Sequence, residues 1–227
     1  MVGTALIVGA GEGLSASLAR LFHKEGMQIV LAARNITKLE ELSIETKSLL
    51  KACDSSKISD VERLFEFVDK NVGIPDIVIY NPSMRIRGSI IELDPNETKK
   101  AIEITCFGAF LVAQHAAKRM LKRGSGSIFF TGASAGIKGF ANSSVFAMGK
   151  FGLRGLAQAL ARELHPKNIH IGHFIIDGGI GSMHASRSEN SKLLNPEEIA
   201  KNYLFFHNQH QSSWAWEIEL RPSLEVF

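Results

Sequence analysis

The densest chemical signal in this 227-residue chain is Gly9-Ala10-Gly11-Glu12-Gly13-Leu14-Ser15, set between an apolar run, Thr4 to Val8, and a helical pattern from Leu14 to Lys24. Glycines at a strand-to-helix turn let the backbone fold tightly and aim bare N–H groups, with the positive end of the helix dipole, at a pyrophosphate. Gly9, Gly11, Glu12, Gly13 and Leu14 are therefore candidate dinucleotide contacts. An NAD site usually carries a carboxylate about 20 residues past such glycines. Here residues 26–39 hold no acid, and Arg34 stands at the end of the second apolar run. A guanidinium there suits a 2′-phosphate by charge and by its forked donors, which points to NADP. A solvated loop arginine, and the repulsion Glu12 would exert on a phosphate, leave NAD open. Asp54 and Ser55 follow the third run; Asp54 either accepts from an adenine amino group or bonds its own loop. Tyr80-Asn81-Pro82-Ser83 closes the fourth run and brings Asn81, Pro82 and Ser83 toward the same ligand.

Other chemistries find less support. His170 and His173 lie three apart in a strand pattern and so face opposite ways. His207 and His210 have no carboxylate or cysteine beside them, and no metal site is expected. Cys53 and Cys106 sit in separate stretches, as in a reducing compartment. The 26 basic and 23 acidic residues leave a net charge of only +3, too dispersed for nucleic acid or an anionic membrane. No apolar stretch approaches the ~18 residues of a membrane span. The start of the chain lacks the order of a signal peptide, so a cytoplasmic location is expected.

The elements that must position these residues are legible in the pattern. Near-continuous apolar runs mark strands at Thr4–Val8, Gln28–Ala33, Ser48–Ala52, Asp76–Tyr80, Ser127–Thr131, His170–Ile176 and Trp214–Leu220. Helical patterns lie between them at Leu14–Lys24, Ile36–Glu45, Ile58–Asn71, Asn96–Leu121, Ser144–Leu164 and Pro196–Phe206. Val61, Leu64, Phe65 and Val68 trace the stripe of a half-buried helix. Alternating strands and helices predict one α/β domain over residues 1–227, a Rossmann-like doubly wound parallel sheet of about seven strands in three α/β/α layers. Trp214 and Trp216 read as one packed face of the last strand. Ligands of such sheets bind outside the C-terminal strand ends.

The chain resembles the short-chain dehydrogenase/reductase superfamily over essentially its whole length. Val8 to Ser15 looks like the family's opening Thr-Gly-x-x-x-Gly-x-Gly, with Val8 for the Thr and Ser15 for the last Gly. Asn81 matches the second Asn of its Asn-Asn-Ala-Gly. Ile176-Asp177-Gly178-Gly179-Ile180 is similar to the family's Pro-Gly segment, which implies that Gly178 and Ile180 contact the cofactor. Ser143 to Leu153 looks like the active-site helix. The family's chemistry uses a Tyr as general acid/base, a Lys that lowers its pKa and holds the nicotinamide ribose, a Ser on the substrate oxygen, and an Asn supporting a water relay. At the matching positions this chain has Phe146, Lys150, Ala133 and Thr105, so only Lys150 is retained. A phenyl ring cannot move a proton, and losing a positioned acid/base typically costs ~10²–10⁴ in rate. Ser134, beside Ala133, and Tyr80 are the candidate substitutes, Tyr80 either as a displaced acid or as an aromatic plug at the sheet end.

Three functions follow as expectations. The first is an NAD(P)-dependent oxidoreductase acting on an unidentified small molecule. The second is a non-catalytic dinucleotide-binding protein, a pseudoenzyme serving as sensor or partner subunit. The third is a structural protein without a ligand. The polar segment Gly181 to Asn195, where relatives carry a substrate loop, has no selective residue. Phe107, Phe110, Leu111, Phe151, Leu153 and Leu156 make two helices apolar beyond one stripe. The resemblance implies that these helices pair across a two-fold axis, giving a homodimer or homotetramer.

Overall fold

The computed structural model describes residues 3–181 and 193–224. Its sheet follows from the apolar runs. The strands are β1 (Thr4–Val8), β2 (Gln28–Ala33), β3 (Leu49–Ala52), β4 (Ile77–Tyr80), β5 (Gly126–Thr131), β6 (Ile169–Ile176) and, after a two-stranded flap of β7 (Gly179–Ile180) and β8 (Leu193–Leu194), β9 (Glu217–Leu220). Seven of them form one all-parallel sheet in the order β3-β2-β1-β4-β5-β6-β9. All residues of β1, β4 and β6 are buried, as strands covered on both faces require.

The helices are α1 (Leu14–Lys24), α2 (Glu40–Thr46), α3 (Ile58–Asn71), α4 (Pro95–Ile102), α5 (Gly108–Arg123), α6 (Ser144–Leu164) and α7 (Pro196–His207). Side-chain alternation along β1 divides the core. Leu6 and Val8 join the layer under α3, α5 and α6, while Ala5 and Ile7 join the layer under α1 and α7. Val61, Leu64, Phe65 and Val68 are the buried stripe of α3. Strand order reverses between β1 and β4, which opens a crevice at their C-terminal ends.

Local structure departs from expectation where backbone or packing overrides pattern. The helix expected over 96–121 is broken by a π turn, Glu103–Phe107, between α4 and α5. Gly108 follows it because a Cβ there would lie 2.5 Å from the Tyr80 hydroxyl and 2.7 Å from the Ser55 carbonyl oxygen. The flap β7–β8 was not foreseen, since two-residue strands carry no periodicity. The last strand starts three residues late, and its tryptophans do not share a face. Trp214 stacks on His170 at 4.5 Å, whereas Trp216 joins the core layer under α6 beneath Arg154. Of the apolar helix residues, Leu111 and Leu153 belong to the core, while Phe107, Phe110 and Phe151 are 40–45% exposed. Segment 182–192, most of the expected substrate loop, lies outside the described residues.

Candidate active site

Loops after β1, β2, β3, β4, β5 and β6 line three adjoining cavities of about 400, 630 and 1060 Å³, which meet at Asn81. The smallest is walled by the glycine turn: Gly9, Gly11, Glu12, Gly13 and Leu14. Gly9 has φ +79°, and a Cβ on it would strike the Pro82 ring at 2.6 Å. Nothing stands within 4 Å of a Cβ placed on Gly11 or Gly13, so that wall has room for a ligand. The Ser15 hydroxyl donates to the Gly9 carbonyl and accepts from Asn81 Nδ2 at 2.7 Å. Ser15, a departure from the family pattern, thus ties the turn to the β4 loop.

The middle cavity holds Arg34, Asp54, Ser55, Pro82 and Ser83. Arg34 is exposed at the end of β2. Asp54 Oδ1 accepts from the backbone and hydroxyl of Ser56, the loop-bonding alternative left open above. Burial works against its charge, but the Ser56 bonds, with Lys57 and Arg34 nearby, hold the carboxyl below its ordinary value.

The largest cavity holds Lys150, Phe146, Ala133 and Ser134, and its rim includes Gly178 and Ile180. Every residue proposed from sequence as a cofactor contact therefore lines one continuous groove. Lys150 is 2% exposed; its ammonium donates to the Thr131 carbonyl at 2.7 Å and lies 5.7 Å from the centre of the Phe146 ring. Among the described residues no carboxylate pairs with it. Desolvation alone pushes its pKa down to about 7. Behind it, His173 Nδ1 donates to Glu217 at 2.9 Å, and Glu217 also takes two bonds from Arg154. Burial outweighs the Glu217 contact and lowers His173 to about 4, so this histidine is neutral at pH 7.

One sequence reading needs correction. Tyr80 does not reach the groove: it is fully buried, and its hydroxyl donates to the Ile104 carbonyl and meets Ser55 Oγ at 3.1 Å, which leaves the plug. Desolvation raises its pKa above the ordinary tyrosine value. Thr105 Oγ1 accepts the Met84 N–H at 3.1 Å and so anchors the β4 loop. Sequence reasoning also passed over Arg85, Arg87 and Lys138, which line the largest cavity. The signal was present as two arginines two apart directly after the Asn81 loop.

A sequence profile described as short chain dehydrogenase matches residues 3–191, most of the chain. The chain belongs to the short-chain dehydrogenase family. A crystal structure of a short-chain dehydrogenase from Rhodopseudomonas palustris is 32% identical, with a TM-score of 0.86 over 97% of this chain and 98% of that one. A 3-oxoacyl-[acyl-carrier-protein] reductase of Bos taurus is 27% identical over 86% of this chain and 81% of its own. An alcohol dehydrogenase from the archaeon Thermococcus sibiricus, solved with 5-hydroxy-NADP, is 21% identical, with a TM-score of 0.87 over 100% and 99% of the two chains, and shares the fold.

The short-chain dehydrogenase site rests on a buried cation, and this has a consequence for stability. Lys150 has a folded pKa of about 7 against 10.5 in the unfolded chain, so the unfolded chain binds more protons between those values. Stability of the cofactor-free protein should rise with pH across that window. Lys150→Met should stabilise it by ~1–4 kcal/mol at pH 7, an advantage that shrinks toward pH 10.5. Urea denaturation of both proteins at three pH values measures this; a less stable variant at pH 7 would contradict it.

Proposed function

We propose that the groove binds NADP(H) and that the protein is a cytoplasmic oxidoreductase acting on a small carbonyl compound or alcohol. The observation that carries this reading is the continuity of the glycine turn, Arg34 and buried Lys150 along one groove. The open walls at Gly11 and Gly13 and the N-terminus of α1 suit a pyrophosphate. Arg34 suits the 2′-phosphate, and Lys150 suits the nicotinamide ribose. The NADP-type ligand of the alcohol dehydrogenase is consistent with this choice. A cytoplasmic setting agrees with the free Cys53 and Cys106; burial pushes the Cys53 thiol up to about 12 and keeps it inert.

A bound nicotinamide dinucleotide supplies the hydride chemistry, and the chain must manage the proton. Phe146 and Ala133 offer none. Lys150, poised between its two forms near neutral pH, and the Ser134 hydroxyl on the same wall are the groups left for that task. The second reading, a dinucleotide-binding protein without turnover, is favoured by the same Phe146, Ala133 and Thr105. The exposed Phe107 and Phe110, stacked at 6.1 Å, with Phe151 on the neighbouring helix, support a homodimer or homotetramer through α5 and α6.

Titration calorimetry should show NADPH binding more tightly than NADH, with Arg34→Ala losing ~1–3 kcal/mol of NADPH affinity. Equal affinities in the parent would overturn the NADP assignment, and no binding of either would overturn the function. Phe146→Tyr combined with Ala133→Ser should raise NADPH-dependent reduction of a reactive diketone by ~10²-fold or more, because a phenol at 146 would sit beside the Lys150 cation. A parent already as fast as the double variant would show that Lys150 or Ser134 suffices, and would end the non-catalytic reading. Phe110→Glu should shift the light-scattering mass from dimer or tetramer toward monomer; a parent that is monomeric at micromolar concentration would refute the assembly.

A further inference from the structure

The largest cavity gathers like charges without an anion to match them. Arg85, Arg87, Lys138 and Lys150 line it, against the single acid Asp177. That carboxylate is already engaged by Arg221 and lies 3.6 Å from Lys138. Among the described residues neither Arg85 nor Arg87 has a carboxylate partner. Their positions are nonetheless held. The Met84 N–H on one side donates to Thr105 Oγ1, and the Gly88 N–H on the other donates to the Asn142 carbonyl, both at 3.1 Å. Arg85 and Arg87 lie two apart on this loop, and both are exposed and line the cavity. The Arg85 guanidinium lies over the Phe146 ring, 5.3 Å from its centre, on the ring whose centre is 5.7 Å from the Lys150 ammonium. A pinned loop that brings two arginines to the wall of one cavity suits a negatively charged ligand.

The cofactor's own phosphates do not account for this charge. The glycine turn and Arg34 line the two smaller cavities, whose walls include neither Arg85 nor Arg87. We infer that the cavity selects a carbonyl substrate bearing an anionic oxo group, a carboxylate held by the forked donors of Arg85 and Arg87 while the carbon chain lies against Phe146 and Phe140. This rests on reading the cavity as the substrate side of the dinucleotide groove. A phosphoryl group offers the same chemistry and is the other source to be distinguished.

The test is calorimetric and uses acetoacetate against ethyl acetoacetate, and glycerone phosphate against glycerone, each with the cofactor-free and the NADPH-saturated protein. One charged member of a pair should bind at least about tenfold more tightly than its neutral counterpart, a gap of ~1.4 kcal/mol. Acetoacetate assigns the site to carboxylates and glycerone phosphate to phosphoryl compounds. The gap should vanish in R85Q/R87Q and return in part in R85K/R87K. No anion binding, equal binding of charged and neutral members, or a gap that survives R85Q/R87Q would overturn the inference. Failure of the parent to bind NADPH would instead overturn the proposed function, and charge-dependent binding to the cofactor-free protein would still stand.

Discussion

An ammonium with no counter-ion, enclosed by protein, is among the most costly groups a fold can carry. Lys150 is such a group, and much of the surrounding structure serves to hold it. Its ammonium donates to the Thr131 carbonyl at the end of β5. The Thr131 hydroxyl is bonded in turn to Tyr203 of α7 at 2.8 Å, on the opposite side of the sheet. Gly149, next to Lys150, brings α6 so close to the π turn that a Cβ there would lie 3.0 Å from the Thr105 side chain. The π turn, Thr105 and the β4 loop are therefore packed as one assembly with α6. Turns of this kind inside helices often mark functional positions.

The same packing keeps the site organised around Phe146, Thr105 and Tyr80. Thr105 has become a fastener for the β4 loop, and Phe146 a surface on which Arg85 rests. Tyr80 fills the space above the π turn. Each replacement carries packing or a hydrogen bond of its own. The groove carries positive charge, and burial perturbs two ionisable groups strongly on its walls, lowering Lys150 and raising Cys53. A site with this balance is suited to holding anions and to moving protons through an amine, and poorly suited to phenol-based acid catalysis.

Much was legible from residue order. The strands covered on both faces announced themselves as continuous apolar runs, and the glycine turn, Arg34 and Asn81 could be assigned to one edge of a parallel sheet before any coordinates. The resemblance to the short-chain dehydrogenases added Lys150, Gly178 and Ile180. What misled was short or irregular structure. Periodicity cannot register a single π turn inside a long helical pattern, nor a two-residue strand such as Gly179–Ile180. It also assigned Trp214 and Trp216 to one face because it began β9 too early.

Residue types and spacing by themselves determined the class of fold and the place of the glycine turn, since these depend on local pattern and on which atoms a side chain possesses. Tertiary structure alone decided which groups are sealed from water and which face the groove. Tyr80 ends a strand and Lys150 lies within α6, and packing buries both, yet the hydroxyl of one is held against Ile104 and Ser55 while the other lines the cavity. Arg85 and Arg87 read as ordinary loop cations until Thr105 and Asn142, distant in sequence, pin the backbone on either side of them. Desolvation and like-charge proximity are sums over neighbours brought together from across the chain, and no stretch of sequence contains them.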